Sequence, residues 1–233
     1  MADDVMRLFQ SSVAQWFVET FAVPTPPQIL GWPPIAAGER ALILSPTGSG
    51  KTLAAFLYAI DSVIQAEQAD GDARGVHTLY LSPLKALAND IERNLEQPLQ
   101  GIRECVTRPG EPIPEMRVGI RTGDTSASER QRMIRTPPHL LITTPEPLNL
   151  LLTSSKARDM LRTVHYVIRH GETNPSHSIG REKSDSRYGE RDAGCWFVQK
   201  IIRLKRMFDE YCGACWCKQV LSLGRFSIDQ AWG

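Results

Sequence analysis

Cysteine is almost missing from the body of this chain. Cys105 is alone before Cys195, Cys212, Cys215 and Cys217, which crowd the end. The total of 5 is odd, which together with a cytosolic reading argues against a disulfide framework. No apolar run approaches the roughly 18 residues that cross a bilayer. The opening Met1-Ala2-Asp3-Asp4 is acidic and lacks the basic-then-apolar order of a secretory signal. These absences predict a soluble, cytoplasmic protein with no membrane partner. An excess of one charge is also missing: 27 Lys+Arg face 26 Asp+Glu. That excludes a strongly basic coat and an acidic tail, but not a local basic groove. The chain shows neither an internal repeat nor a low-complexity tract, and nothing in it calls for a stable protein partner.

What is present is ordinary globular composition, 233 residues with 42% hydrophobic and 23% charged. Such a chain buries roughly 70% of its unfolded surface, enough for a sizeable core. From position 41 the pattern is strand, loop, helix, repeated. Strands are predicted at 41–44 (ALIL), 76–81 (VHTLYL), 116–120, 140–143 (LLIT) and 164–168 (VHYVI). Helical spacing follows at 52–65, 85–95 and 146–153, and the breakers Gly71, Gly75, Pro137 and Pro138 fall between elements. Short apolar strands alternating with helices predict a five-stranded, mostly parallel sheet covered on both faces. After Ile168 the alternation stops. The stretch 169–193 is polar and rich in Gly, Ser, Arg and Glu, and basic groups outnumber acidic ones from there on. The reading is an α/β domain over 1–168 and a divergent, irregular appendage over 169–233.

The first chemical signal is the loop 45–52, SPTGSGKT, between a predicted strand and a predicted helix. Glycines let a backbone curl so that successive N–H groups point at phosphate oxygens, and the helix start adds its positive end. In this P-loop reading Thr47, Gly48, Ser49 and Gly50 cradle phosphates. Lys51 reaches the terminal phosphates, and the Thr52 hydroxyl ligates Mg²⁺. ATP with Mg²⁺ is the expected cofactor. Ser45 stands where the general pattern has its first glycine.

This loop, with four further segments, resembles the first motor domain of superfamily 2 DEAD/DEAH-box helicases of the large helicase-related (Lhr) type. Pro24-Thr-Pro-Pro-Gln28 resembles the upstream segment whose glutamine reads adenine, a task suited to an amide that both donates and accepts. Ser82-Pro83-Leu84-Lys85 resembles the family segment after the second strand. Arg121-Thr122-Gly123-Asp124 and Thr143-Thr144-Pro145-Glu146 resemble those after the third and fourth strands. The resemblance spans about residues 20–168. It implies a P-loop NTPase (RecA-like) sheet and ATP-dependent unwinding of nucleic acid. Pro83, Lys85, Arg121, Thr122, Gly123, Asp124, Thr144, Pro145 and Glu146 would then face single-stranded DNA or RNA. In open α/β sheets ligands gather at the carboxyl ends of strands, where all these segments lie.

One family element is missing. An Asp-Glu-x-His segment should close the fifth strand, its Asp holding Mg²⁺ and its Glu preparing the attacking water. The chain reads Ile168-Arg169-His170-Gly171-Glu172 instead. Nothing after it resembles the second motor domain of the family, which supplies an arginine finger. The expectation is an incomplete first motor domain that binds ATP weakly and does not unwind alone. The abrupt change after Ile168 fits a truncation, a frameshift or a fusion.

Two further readings attach to the tail. Arg169-His170-Gly171 also resembles the signature of the histidine phosphatase superfamily, whose histidine is a phosphorylated nucleophile. That family requires a second histidine much later, and none follows His177. Cys212, Cys215 and Cys217 with Cys195 could form a tetrahedral zinc set, although a second C-x-x-C or a histidine pair is lacking. The basic amphipathic stretch 200–206 (KIIRLKR) reads as a solvated helix face.

Overall fold

Alternation within single strands builds two cores. In β2 (Thr78–Leu81), β4 (Leu140–Thr143) and β5 (Tyr166–Gly171), neighbouring side chains point to opposite sheet faces. Tyr80, Leu140, Ile142, Tyr166 and Ile168 therefore join one apolar cluster, while Leu79, Leu81, Leu141 and Val167 join the other. These strands read as continuous apolar runs because both faces are covered.

The computed structural model describes residues 2–46, 48–70, 75–105, 116–171 and 193–200. Among them, the chain begins with α1 (Ala2–Met6), α2 (Ser11–Phe21) and α3 (Pro26–Ala36). Then come β1 (Arg40–Pro46), α4 (Lys51–Asp70), β2, α5 (Lys85–Cys105), β3 (Val118–Arg121) and α6 (Ala127–Arg135). After β4 stand α7 (Pro145–Thr153), α8 (Ser155–Asp159), β5 and finally β6 (Ala193–Lys200). No described helix is long and apolar enough to cross a membrane.

The strand order is β1-β6-β5-β2-β4-β3. The run β5-β2-β4-β3 is parallel throughout, as the alternating pattern predicts. The first core packs α1 to α5 on one face, and the second packs α7 and α8 on the other. Side chains set the seams. Trp32 is fully buried and its Nε1–H donates to the Ala54 carbonyl at 3.0 Å, fastening α3 to α4. Phe9 and Phe17 meet the Trp32 ring edge-on at 4.8 and 5.4 Å, an arrangement aromatic quadrupoles favour.

The sheet holds one strand more than the expected five. Residues 193–200, assigned to the irregular appendage by sequence, form β6 between β1 and β5 and run antiparallel to both. Arg40 lies opposite Gln199 and Pro46 opposite Ala193 on one side; Tyr166 lies opposite Lys200 on the other. Its residues Cys195, Trp196, Phe197 and Val198 are of the kind that suits a pleated surface. The fifth strand also ends later than expected, at Gly171.

Helices run longer than their sequence signals, α4 to Asp70 and α5 to Cys105, the latter through Pro98. On β1 the pattern alternates fully: Ala41 and Ile43 are buried, but Leu42 and Leu44 are 46% and 53% exposed. No described element covers that second face of β1.

Candidate functional site

β1 delivers the chain to the carboxyl edge of the sheet, where it turns through Gly48 and Gly50 into α4. Both glycines have positive φ, 79° and 83°, which L-residues adopt only with strain. Gly50 is also closely surrounded. A Cβ there would stand 2.7 Å from Gln28 Nε2 and 3.1 Å from Thr25 Oγ1. The Lys51 ammonium is buried and turns back to donate to the Ser45 and Pro46 carbonyls. Ser49 Oγ is buried with no hydrogen-bond partner. Thr52, partly exposed, is the second residue of α4. Thr47 lies outside the described residues.

This arrangement fits a polyphosphate. A cation held on loop carbonyls, a hydroxyl without a partner and a glycine-shaped turn at the start of a 20-residue helix converge on one place. Lys51, the loop N–H groups and Ser49 would hold phosphate oxygens, and Thr52 would offer its hydroxyl to Mg²⁺.

Gln28 sits against this loop. Its Oε1 accepts from the Thr25 N–H at 2.8 Å, and its Nε2 donates to the Gly50 carbonyl at 3.3 Å. The side chain is only 3% exposed. Thr25-x-x-Gln28 is thus a helix start whose glutamine reaches back to the cap backbone, and it braces the phosphate loop as well.

The segments after β2, β4 and β3 leave neighbouring strands of the sheet. Lys85, at the start of α5, pairs with Asp124 in the loop after β3. Pro83 and Gly123 are exposed beside them. Arg121, Thr122 and Gly123 meet Glu146, Pro147 and Leu150 of α7 across a cleft of ≈ 120 Å³ that Arg130 also lines. Thr144 and Pro145, partly exposed, lead into α7. Arg121 is 8% exposed and its Nη1 has no hydrogen-bond partner. Burial, and then the neighbouring Arg130 charge, lower its pKa below the usual arginine value. Of the predicted strand-facing residues, the structure thus brings Lys85 to Asp124, and Arg121, Thr122 and Gly123 to Glu146.

Three further polar side chains, Arg130, Thr143 and Asp61, were not among the predicted site residues. Arg130, on α6, donates Nε–H to the Thr125 carbonyl at 2.7 Å and Nη2–H to the Gly123 carbonyl at 2.8 Å. The Thr143 hydroxyl donates to the Arg121 carbonyl at 2.7 Å and ties the ends of β3 and β4. Asp61 is fully buried on α4, accepting from the Gln10 N–H at 2.9 Å and from Gln65 Nε2 at 2.7 Å. Burial pushes its carboxyl up to about 6.

At the end of β5, Leu81 pairs with Arg169 and Gly171 with Cys195. The position nearest the expected acidic pair thus carries Arg169. Glu172 and the cysteines Cys212, Cys215 and Cys217 lie outside the described residues. Among the described residues no group of His, Cys, Asp and Glu is placed to hold a metal ion.

The family profile described as DEAD/DEAH box helicase matches residues 25–169. The chain belongs to that family. Among similar proteins, this DEAD/DEAH box helicase chain is 50% identical over 165 residues to "Lhr helicase/ probable uracil glycosylase" of Mycolicibacterium smegmatis. That match covers 71% of this chain and 11% of the relative. It is 47% identical over 166 residues to "ATP-dependent helicase Lhr-Core protein 2" of Thermococcus barophilus, covering 71% and 19%. A solved structure, Mycobacterium smegmatis helicase Lhr bound to ssDNA and AMP-PNP, superposes with a TM-score of 0.64 at 48% identity. It is matched over 70% of this chain and 20% of that one. The DEAD-box helicase Mss116 bound to ssRNA and UDP-BeF shares the fold, with a TM-score of 0.55 at 21% identity. The chain spans about a tenth to a fifth of the length of the curated relatives named here. The parallel sheet with flanking helices is the RecA-like fold expected from the sequence, and the Lhr resemblance holds.

Proposed function

We propose that this chain binds ATP in the loop after β1 and a single strand of DNA or RNA across the loops after β2, β3 and β4, without hydrolysing ATP at a useful rate. The observation that carries the reading is the phosphate loop itself, with Gly48 and Gly50 at positive φ and Lys51 held over it. Lys51 and the loop amides bind the phosphates, and Thr52 is the protein's ligand to Mg²⁺. Gln28 keeps one N–H and one lone pair beyond its two protein bonds, which suits the adenine edge. The relatives named above are helicases, and one was solved with single-stranded DNA and a nucleotide analogue. That supports both ligands.

The reason for slow turnover is electrostatic. ATP hydrolysis needs a carboxylate on the metal and another group to orient water. Between Ile168 and Gly171 the chain offers Arg169 and His170 instead. A guanidinium there repels Mg²⁺ and removes no proton from water.

The test is ATP hydrolysis by the purified chain with and without single-stranded DNA, beside equilibrium binding of a fluorescent ATP analogue and the Lys51→Ala variant. The expected result is analogue binding lost in Lys51→Ala, with turnover at background. Strand-stimulated turnover abolished by Lys51→Ala would overturn the non-hydrolysing part. Absence of analogue binding by folded protein would overturn the whole.

A further inference from the structure

Arg130 lies outside every motif in the sequence, yet it makes the most directed contacts on the strand-facing surface. Its guanidinium spans two carbonyls of one loop, Nε–H to Thr125 at 2.7 Å and Nη2–H to Gly123 at 2.8 Å. The loop is also closed internally: the Thr122 N–H donates to Thr125 Oγ1 at 2.9 Å, and the Thr125 N–H to the Thr122 carbonyl at 3.3 Å. At the next helix start Ser126 and Glu129 cap each other, which fixes α6 and the origin of the Arg130 side chain. A planar fork matches two carbonyls at once; an ammonium does not.

Holding the loop this way has a consequence for Arg121. Its side chain is more than nine-tenths buried, lines the cleft, and keeps Nη1 without a partner. Burying an unsatisfied guanidinium N–H is costly unless a ligand completes it. Two arginines and Thr122 on one wall, facing Glu146 on the other, suit a single anion of modest size. Glu146 sets the limit, because its carboxylate opposes a second negative group.

Resting on the strand-binding reading above, we propose that Arg130 is a positioning residue. It shapes the 122–125 loop so that Arg121 Nη1 contacts one backbone phosphodiester of the bound strand. The contact reads phosphate and not base, so it adds affinity without sequence preference.

The experiment measures binding of the full chain to labelled oligo-dT and oligo-dA over a range of salt. Arg121→Gln, Arg130→Lys and the double variant are compared with the unaltered chain, and analogue binding at the β1 loop is followed in each. One lost phosphate contact lowers the slope of log affinity against log salt by about 0.7 for a single strand. The expected result is that loss in Arg121→Gln and equally in Arg130→Lys, although Lys keeps the charge. The two oligomers respond alike, and the double variant loses nothing further.

An unaltered slope in Arg130→Lys, with analogue binding intact, overturns the positioning role and leaves the strand-binding reading standing. Should Arg130→Lys also lose the analogue, Arg121→Gln decides: an unchanged slope there overturns the phosphate contact. If the unaltered chain binds neither oligomer, the strand-binding reading fails and this proposal fails with it.

Discussion

Two strand ends in one sheet carry opposite equipment. After β1 the backbone turns through two positive-φ glycines, and a buried lysine lies across the turn. At the end of β5, within the same carboxyl edge, stand Arg169, His170 and Gly171. The first has the local parts of the anion site we propose there. The second is where a metal-binding carboxylate would have to be, and its charge has the wrong sign. The signature of a phosphate-binding loop can thus be carried by one short run of sequence, whereas phosphoryl transfer needs two strand ends to agree.

The sharpest way to break this contrast is Lys51→Ala. Removing a charge-assisted donor from the phosphates should weaken ATP-analogue binding about 10²-fold, read by fluorescence titration. An unchanged affinity would mean the loop is only a turn.

Next in size is the buried carboxylate of α4, Asp61. Asp61 titrates near 6 in the folded chain, raised by burial from its ordinary 3.8. The folded form holds this proton more tightly than the unfolded form. Its contribution therefore favours folding increasingly as pH falls from 7 through about 6 towards 4. Comparing chemical denaturation of the chain with Asp61→Asn should show a relative swing of about 2 kcal/mol across that window. Parallel pH profiles would contradict it.

Gly50→Ala has a smaller expected effect, about 1 to 2 kcal/mol of stability from a strained φ and a displaced Gln28. Analogue binding should weaken with it, since the Gly50 carbonyl anchors that glutamine. The smallest is Lys85→Ala. Lys85 and Asp124 are 51% and 71% exposed, so thermal unfolding should barely move while oligo-dT affinity drops. A large fall in melting temperature would make the pair structural.

The sequence showed the sheet and the phosphate loop clearly because their signals are local. Alternation in Leu79, Tyr80 and Leu81, and the run SPTGSGKT, can be read within a few residues. Gln28 was legible as a site residue, but its bond to Gly50 was not, since the partners meet only when α3 packs on α4. The Thr25-x-x-Gln28 spacing could have signalled its capping bond. Arg130 looked like one of several surface arginines, because what distinguishes it is the direction of its fork. Asp61 carries a weak signal: it interrupts the apolar row of Leu57, Ile60 and Ile64 on α4. β6 was missed because a polar stretch separates it from the alternating pattern, and strand pairing is a non-local property.

That pairing bears on the order in which the molecule can be assembled. Among the described strands β1 bonds only to β6, with Pro46 opposite Ala193. The parallel strands β2 to β5 can meet one another earlier during synthesis, but β1 waits for the end of the sheet to emerge from the ribosome. Until then the strand that feeds the phosphate loop packs on α3 and α4 without a strand partner among the described residues. The part of the molecule first recognisable in its sequence is thus among the last to be enclosed by its fold.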